Sequence, residues 1–296
     1  MDFKYSLNDR PRAAAMVMYA VQWLLIAVPV VLTSAFVARL QYDTLAEQTL
    51  YTQKLFAVMG LTMIVQSLWG HRLPLVAGPA AVLLVGVMAS IASSPEVIYT
   101  SIAVGGALVA LLATTGWIKK LQPLFTPRIS IVMMALIAFT IVPVFLRLIF
   151  ADAEHYGLSF VMALVLSIAM VVANNRLRGM WKSAVVLIAL VVGSAAYFAF
   201  AGLPSLEGAT AAGAGRLFIA PKFDVGVIVA FLICYIALLI NELGSVQSVS
   251  AYVEADNVPK RSTRGVALTG VMNVVAGAMG VLGPVDYTLS PGVIAA

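Results

Sequence analysis

The polar positions of this chain gather in short clusters between long apolar runs. About 20 apolar residues cross the hydrocarbon core of a bilayer as a helix. The pattern gives ten such runs, at 13–36, 53–70, 73–93, 96–117, 129–150, 157–174, 183–203, 225–250, 264–280 and 282–296. Most connections between them are short. The exception is 202–224, GLPSLEGATAAGAGRLFIAPKFD, which separates seven runs from three. Its Gly215-Arg216 lacks the Gly-Lys-Ser/Thr of a phosphate-binding loop.

Two runs are abnormal. One is GHRLPLVAGPAAVLL at 70–84 and the other is GVLGPVDYTLSPGVIAA at 280–296. Pro74, Gly78, Pro79, Gly283, Pro284, Pro291 and Gly292 oppose a continuous helix in both. Each is the third run of its half, counted from the chain start and from the 202–224 loop. Interrupted spans at matching positions point to a transporter binding site, because unpaired backbone is tolerated at depth only beside a cavity or buried in protein. The plainer alternative is two re-entrant loops or kinked helices with structural roles.

The run VGVIVAFLICYIALLINELGSVQSVSAY (225–252) places Asn241 and Glu242 where a span should still be continuing. A carboxylate at that depth costs about 2.5 kcal/mol or more on insertion scales. Either Glu242 faces a polar cavity or a partner, or Asn241 opens a frayed helix end and Glu242 snorkels to the headgroups.

Composition settles the class. The chain is 62% hydrophobic and 10% charged, with mean hydropathy +1.01. Soluble domains carry about 25% charged residues, so this is an all-α polytopic membrane protein. The net charge of +5 then orients loops and is no nucleic-acid footprint. With the N-terminus cytoplasmic, 13 of the 18 Lys and Arg fall on the cytoplasmic side, Arg72, Lys260, Arg261 and Arg264 among them. Arg39, Lys54, Arg147, Arg216 and Lys222 fall on the other. Lone Cys234 and distant His71 and His155, both read as loop-edge residues, predict neither metal nor cofactor. No Gly-x-Ser-x-Gly, His-Glu-x-x-His or close intramembrane Asp pair is present, which argues against an enzyme.

Several stretches together resemble the nucleobase/ascorbate transporter family, of the uracil–xanthine permease type. They are Tyr19-Ala20-Val21-Gln22-Trp23, residues 70–81, Phe125-Thr126-Pro127, Asn241-Glu242-Leu243-Gly244, residues 265–280 with Asn273, Gly277 and Gly280, and Ser290-Pro291-Gly292. The resemblance implies two inverted seven-span repeats, 14 spans in all, divided into core and gate domains. Spans 1–4 (1–117) and 8–10 (206–296) fall to the core, and spans 5–7 (118–205) to the gate. It places substrate between span 8 and extended breaks in spans 3 and 10. It also implies a homodimer in a bacterial-type inner membrane. Only about ten spans are present, so the chain is expected to end inside span 10 and to be inactive by itself.

The implied substrate is a uracil- or xanthine-like base moved with H+ or Na+. Its contacts would come from Gly78, Pro79, Ala80 and Ala81, from Asn241, Glu242 and Ser245, and from Leu289, Ser290 and Gly292. Extended backbone is expected at 78–82 and 288–292. Gln22 either joins the site or bonds between helices. Anchoring on Gly244 puts the family's span-8 acid at Asn241. Asn241 and Ser245 then share the substrate face, and Glu242, about 100° away, points aside. Leu289 stands at the family's span-10 acidic or amide position, which favours as a second reading an anion carrier of the same fold. Proton coupling needs a carboxyl whose surroundings let it exchange a proton near neutral pH. Glu242 is the first choice, and Asp286 the second unless it only caps a turn.

Overall fold

The computed structural model describes residues 28–117, 154–177, 185–202 and 215–287, with scattered positions in 7–20 and 120–150. Most of the run at 129–150, and residues 203–214 and 288–296, lie outside the described residues.

Helix α1 is Val28–Gln41, α2 Leu45–Leu68, α3 Ala81–Ala89 and α4 Pro95–Thr114. Then come α5 Tyr156–Arg176, α6 Val185–Ala201, α7 Val225–Tyr252 and α8 Val258–Met279. Two short strands complete the described set, β1 Ala77–Pro79 before α3 and β2 Pro284–Asp286 after α8. Helices α4, α5 and α7 are long and apolar enough to cross a membrane.

Helix boundaries depart from the apolar runs where polar capping chemistry extends them. Helix α2 begins at Leu45 rather than 53, because Thr44 caps it: its hydroxyl oxygen accepts the Glu47 N–H at 3.3 Å and stands 2.7 Å from Glu47 Oε2. Helix α8 begins at Val258 rather than 264, opened by Pro259 in its first turn. It stops at Gly280, whose φ of +70° suits glycine. The N–H of Val281 returns to the Ala276 carbonyl at 3.0 Å, closing the helix end.

The two broken runs meet. Strands β1 and β2 pair antiparallel, with Ala77 opposite Asp286, Gly78 opposite Val285 and Pro79 opposite Pro284. The two prolines offer no N–H, so pairing resumes outside them. Ala80 N–H bonds the Gly283 carbonyl at 2.9 Å, and Tyr287 N–H bonds the Val76 carbonyl at 2.8 Å. At the first break the extended backbone is shorter and earlier than expected. Ala81 and Val82 already belong to α3, since Ala80 to Leu84 is an uninterrupted stretch without Gly or Pro. On the second side the strand forms directly after Gly283, where Pro284 fixes an extended φ. The expected stretch 288–292 lies outside the described residues.

The ribbon is clamped by close-packed helices. Helices α4 and α8 approach so tightly that a Cβ on Gly106 would stand 2.7 Å from the Gly270 carbonyl oxygen. A Cβ on Gly277 would stand 2.5 Å from that of Tyr99. Small residues at such crossings let backbones touch. Around the crossing Tyr51, Leu55, Leu83, Tyr99, Ile102, Phe231, Leu238, Leu243 and Leu282 form one buried cluster. Helix α5 packs on α6 and has no buried residue, so Phe160, Val165 and Val171 form an apolar outer surface.

Candidate functional site

Helix α7 carries Glu242 into the interior, where it is 0% exposed. The helix runs unbroken to Tyr252, which removes the reading of a frayed end with a snorkelling acid. Glu242 Oε2 accepts the Asp286 backbone N–H at 2.9 Å. Its Oε1 lies 2.6 Å from the Thr269 hydroxyl on α8. Thr269 in turn accepts from Gln66 Nε2 of α2 at 2.8 Å, and that amide also donates to the Gly265 carbonyl at 3.0 Å. A buried carboxylate is tolerable only when hydrogen-bonded in this way.

Strand β2 is held from three sides. The Ser245 hydroxyl lies 2.9 Å from the Asp286 carbonyl and 2.8 Å from that of Asn241. Asn273 donates through Nδ2 to the Pro284 carbonyl at 2.9 Å and to the Thr269 carbonyl at 2.7 Å. Its Oδ1 accepts from the Tyr235 hydroxyl at 2.8 Å. The Asp286 carboxylate extends the other way, 3.0 Å from His71 Nε2, and both side chains are buried. Asp286 is therefore no turn cap. It belongs to a strand and faces a histidine.

The structure thus gathers Glu242, Ser245 and Asp286 at the ribbon, beside the buried Gly78, Pro79 and Ala80. Glu242 does not point away from Ser245, as the Gly244 register implied. Three residues apart on one helix, both reach the Asp286 backbone. Asn241 and Gly244 are half-buried, and Ala81 is exposed. Gln22, Leu289, Ser290 and Gly292 lie outside the described residues.

Sequence reasoning missed His71, Thr269 and Gln66, and named Asn273 only as part of a motif. A signal existed for Thr269 and Gln66, since each is a polar residue inside an apolar run. Among the described residues, no group of three or more His, Cys, Asp or Glu could hold a metal ion.

Basic residues gather at one cleft. Arg72, Lys260, Arg261 and Arg264 line one cleft with His71, Asp256 and Asn257. Arg261 Nη2 bonds Asp256 Oδ1 at 2.7 Å, and this guanidinium holds the Asp256 carboxyl below its ordinary range. Elsewhere Lys54 Nζ reaches the Arg216 carbonyl at 3.5 Å. Arg72 thus stands with the α8 basics, and Lys54 beside Arg216.

A helical membrane protein whose interrupted segments meet beside a buried acid has the architecture of a carrier. The chain belongs to the permease family of the xanthine/uracil type, whose family model matches residues 14–296. That is a transporter family and not an enzyme family. No curated protein matches the chain.

Proposed function

We propose that the protein is a secondary active transporter of a nucleobase, uracil- or xanthine-like, coupled to protons and working by alternating access. The observation that carries this is Glu242: in a xanthine/uracil permease chain it is 0% exposed and tied to the interrupted ribbon through the Asp286 N–H. A planar base presents N–H donors and carbonyl acceptors at fixed spacing. A base would meet the backbone at Gly78–Ala80 only with the Tyr287 ring displaced, since that ring fills the space beside Gly78. Asn241 can both donate and accept. Among the described residues of the proposed contact set, it and Ala81 reach the surface in this conformation.

Glu242 would carry the coupling proton in this reading, with Asp286 beside it. The substrate would lie between the β1–α3 segment, α7 and the chain following β2. The test is uptake of labelled uracil and xanthine into vesicles at several pH values, for the protein and for Asn241→Ala. Base uptake that is saturable and weakened at least tenfold in the variant supports the reading. Unaltered uptake in Asn241→Ala sinks the substrate face.

One observation favours a second reading, an anion carrier of the same fold. Ala80, the N-cap of helix α3, gives no side-chain cap bond, leaving first-turn N–H groups able to take a negative ligand. Competition between bases and sulfate for binding separates the two readings.

A further inference from the structure

His71 is the buried titratable group to which the proposed mechanism assigns no role. It lies on the connection between α2 and β1, is 0% exposed, and places Nε2 3.0 Å from Asp286 Oδ2. Its other ring nitrogen fixes the tautomer. The Leu73 backbone N–H donates to Nδ1 at 2.9 Å, and a peptide N–H can only donate, so Nδ1 is bare. The ring is then neutral, with its proton on Nε2, the nitrogen beside Asp286. The N–H is not aligned as a full hydrogen bond, so its dipole makes the contact. The slot is built for the ring: a Cβ on Gly265 of α8 would stand 3.3 Å from His71 Cβ and Cδ2.

The charged groups around His71 come from every neighbouring element. Asp286 faces it from β2, and Glu242 of α7 lies beyond, on the Asp286 peptide. From α8, Arg261 Nη1 bonds the His71 carbonyl at 3.0 Å and the Arg72 carbonyl at 3.3 Å. Arg261 itself is engaged by Asp256. Arg72, Lys260 and Arg264 line the cleft on the outer side. Among the described residues, no lysine or arginine pairs with the Asp286 carboxylate.

The two buried acids are therefore not equivalent. We infer that His71 is a positioning residue that holds Asp286 as the anion, so that the exchangeable proton belongs to Glu242, on Oε1. The positive end of the Nε2–H dipole stands beside Oδ2 and is complementary to a charged carboxylate. Glu242 Oε2 is committed to the Asp286 N–H, which keeps charge on that oxygen. Oε1 meets a hydroxyl, which can accept as readily as it donates. When Glu242 is protonated, Oε1–H donates to Thr269 Oγ1 and the threonine hydrogen turns elsewhere. When the proton leaves, the hydroxyl turns back. The inference rests on the proton-coupled reading above.

Its test does not require transport. The chain has two histidines, so His155→Gln with 15N-labelled histidine leaves His71 as the one imidazole signal in a lipid nanodisc. The expected spectrum is a neutral ring protonated at Nε2, with an Nε2 shift that moves in Asp286→Asn. A ring protonated at Nδ1, or an Nε2 signal indifferent to Asp286→Asn, overturns the inference and leaves the transport reading standing. In uptake, His71→Asn, whose shorter amide puts no donor at the Nε2 position, moves the pH midpoint upward by about one unit or more, because Asp286 then competes for the proton. His71→Gln, which restores a donor near Nε2, keeps the midpoint within a few tenths of a unit of the parent. In an Asp286→Asn background, His71→Asn adds nothing. An unmoved midpoint in His71→Asn contradicts the inference, and uptake of the parent that ignores pH removes the proton-coupled reading with it.

Discussion

The peptide N–H of Asp286 meets Glu242 Oε2 at 2.9 Å, in a site where Glu242 is 0% exposed. A backbone donor of β2 is spent on an acid of helix α7, and this joins the two elements. The bond makes the protonation state of Glu242 a mechanical variable for the ribbon. Charged, the carboxylate grips both the peptide and Thr269. Neutral, it holds the peptide more weakly, since hydrogen bonds to ionised groups are about twice as strong as neutral ones.

Removing the acid altogether is expected to damage the fold as well as the transport. Glu242→Ala leaves the Asp286 N–H without its buried acceptor and opens a void. Each unpaired buried polar group costs about 1–3 kcal/mol. Thermal unfolding in detergent should show Glu242→Ala less stable than Glu242→Gln, whose amide oxygen can still accept the peptide N–H. Equal melting temperatures for the two would contradict the bond's role.

Asn273 should matter for stability more than a motif asparagine on a helix surface. Its side chain joins Pro284, Thr269 and Tyr235. Asn273→Leu strips the β2 carbonyl of its donor and Tyr235 of an acceptor. The expected loss is about 2–4 kcal/mol, from two or more bonds at the usual penalty. The measurement is denaturant or thermal unfolding, and a loss below half a kilocalorie would contradict the clamp.

Gly283 reads on the same clamp. A Cβ there would stand 1.8 Å from Asn273 Oδ1, so the amide has to swing away. Gly283→Ala is expected to destabilise the parent clearly and the Asn273→Ala variant much less. A coupling of about 1 kcal/mol or more in the double-mutant cycle is the predicted result, and simple additivity is the contrary one.

Much of this was legible in the sequence. Gly78-Pro79 and Gly283-Pro284 announced where helices would fail, and an acid in an apolar run announced a buried site. The register of pairing was not legible. Gly and Pro say where a helix breaks but not which residue, some 200 positions away, supplies the opposing strand. The direction of Glu242 was misjudged for the same reason, because a helical wheel gives angles and not the place of β2. His71 looked like a loop residue between Gly70 and Arg72. Its ring packs against Gly265 and Asp286, about 200 residues on, and Arg261 bonds its carbonyl.

The basic cleft gives a prediction about acid. Asp256 is a loop residue whose carboxyl lies below its ordinary value of 3.8, first through the hydrogen bond from Arg261. A lowered folded value means stability that is present above the unfolded value and lost as pH falls through the folded one. The pairing therefore contributes fully at neutral pH and fades below about pH 4. It is exposed and screened by salt. Asp256→Asn should leave the melting temperature at pH 7 within about a degree at 0.5 M salt, since exposed pairs count for little there. A drop of many degrees would mean that Arg261 needs the charge, and not only the Asp256 and His71 carbonyls it also bonds.

Glu242 is proposed to carry the proton that drives base accumulation. The most direct measurement is labelled uracil or xanthine in vesicles of the protein and of Glu242→Gln, compared in net accumulation under an imposed pH gradient and in exchange without one. The parent is expected to accumulate base with the gradient, while Glu242→Gln still exchanges base but accumulates none and ignores pH. Gradient-driven accumulation in Glu242→Gln equal to that of the parent would contradict it.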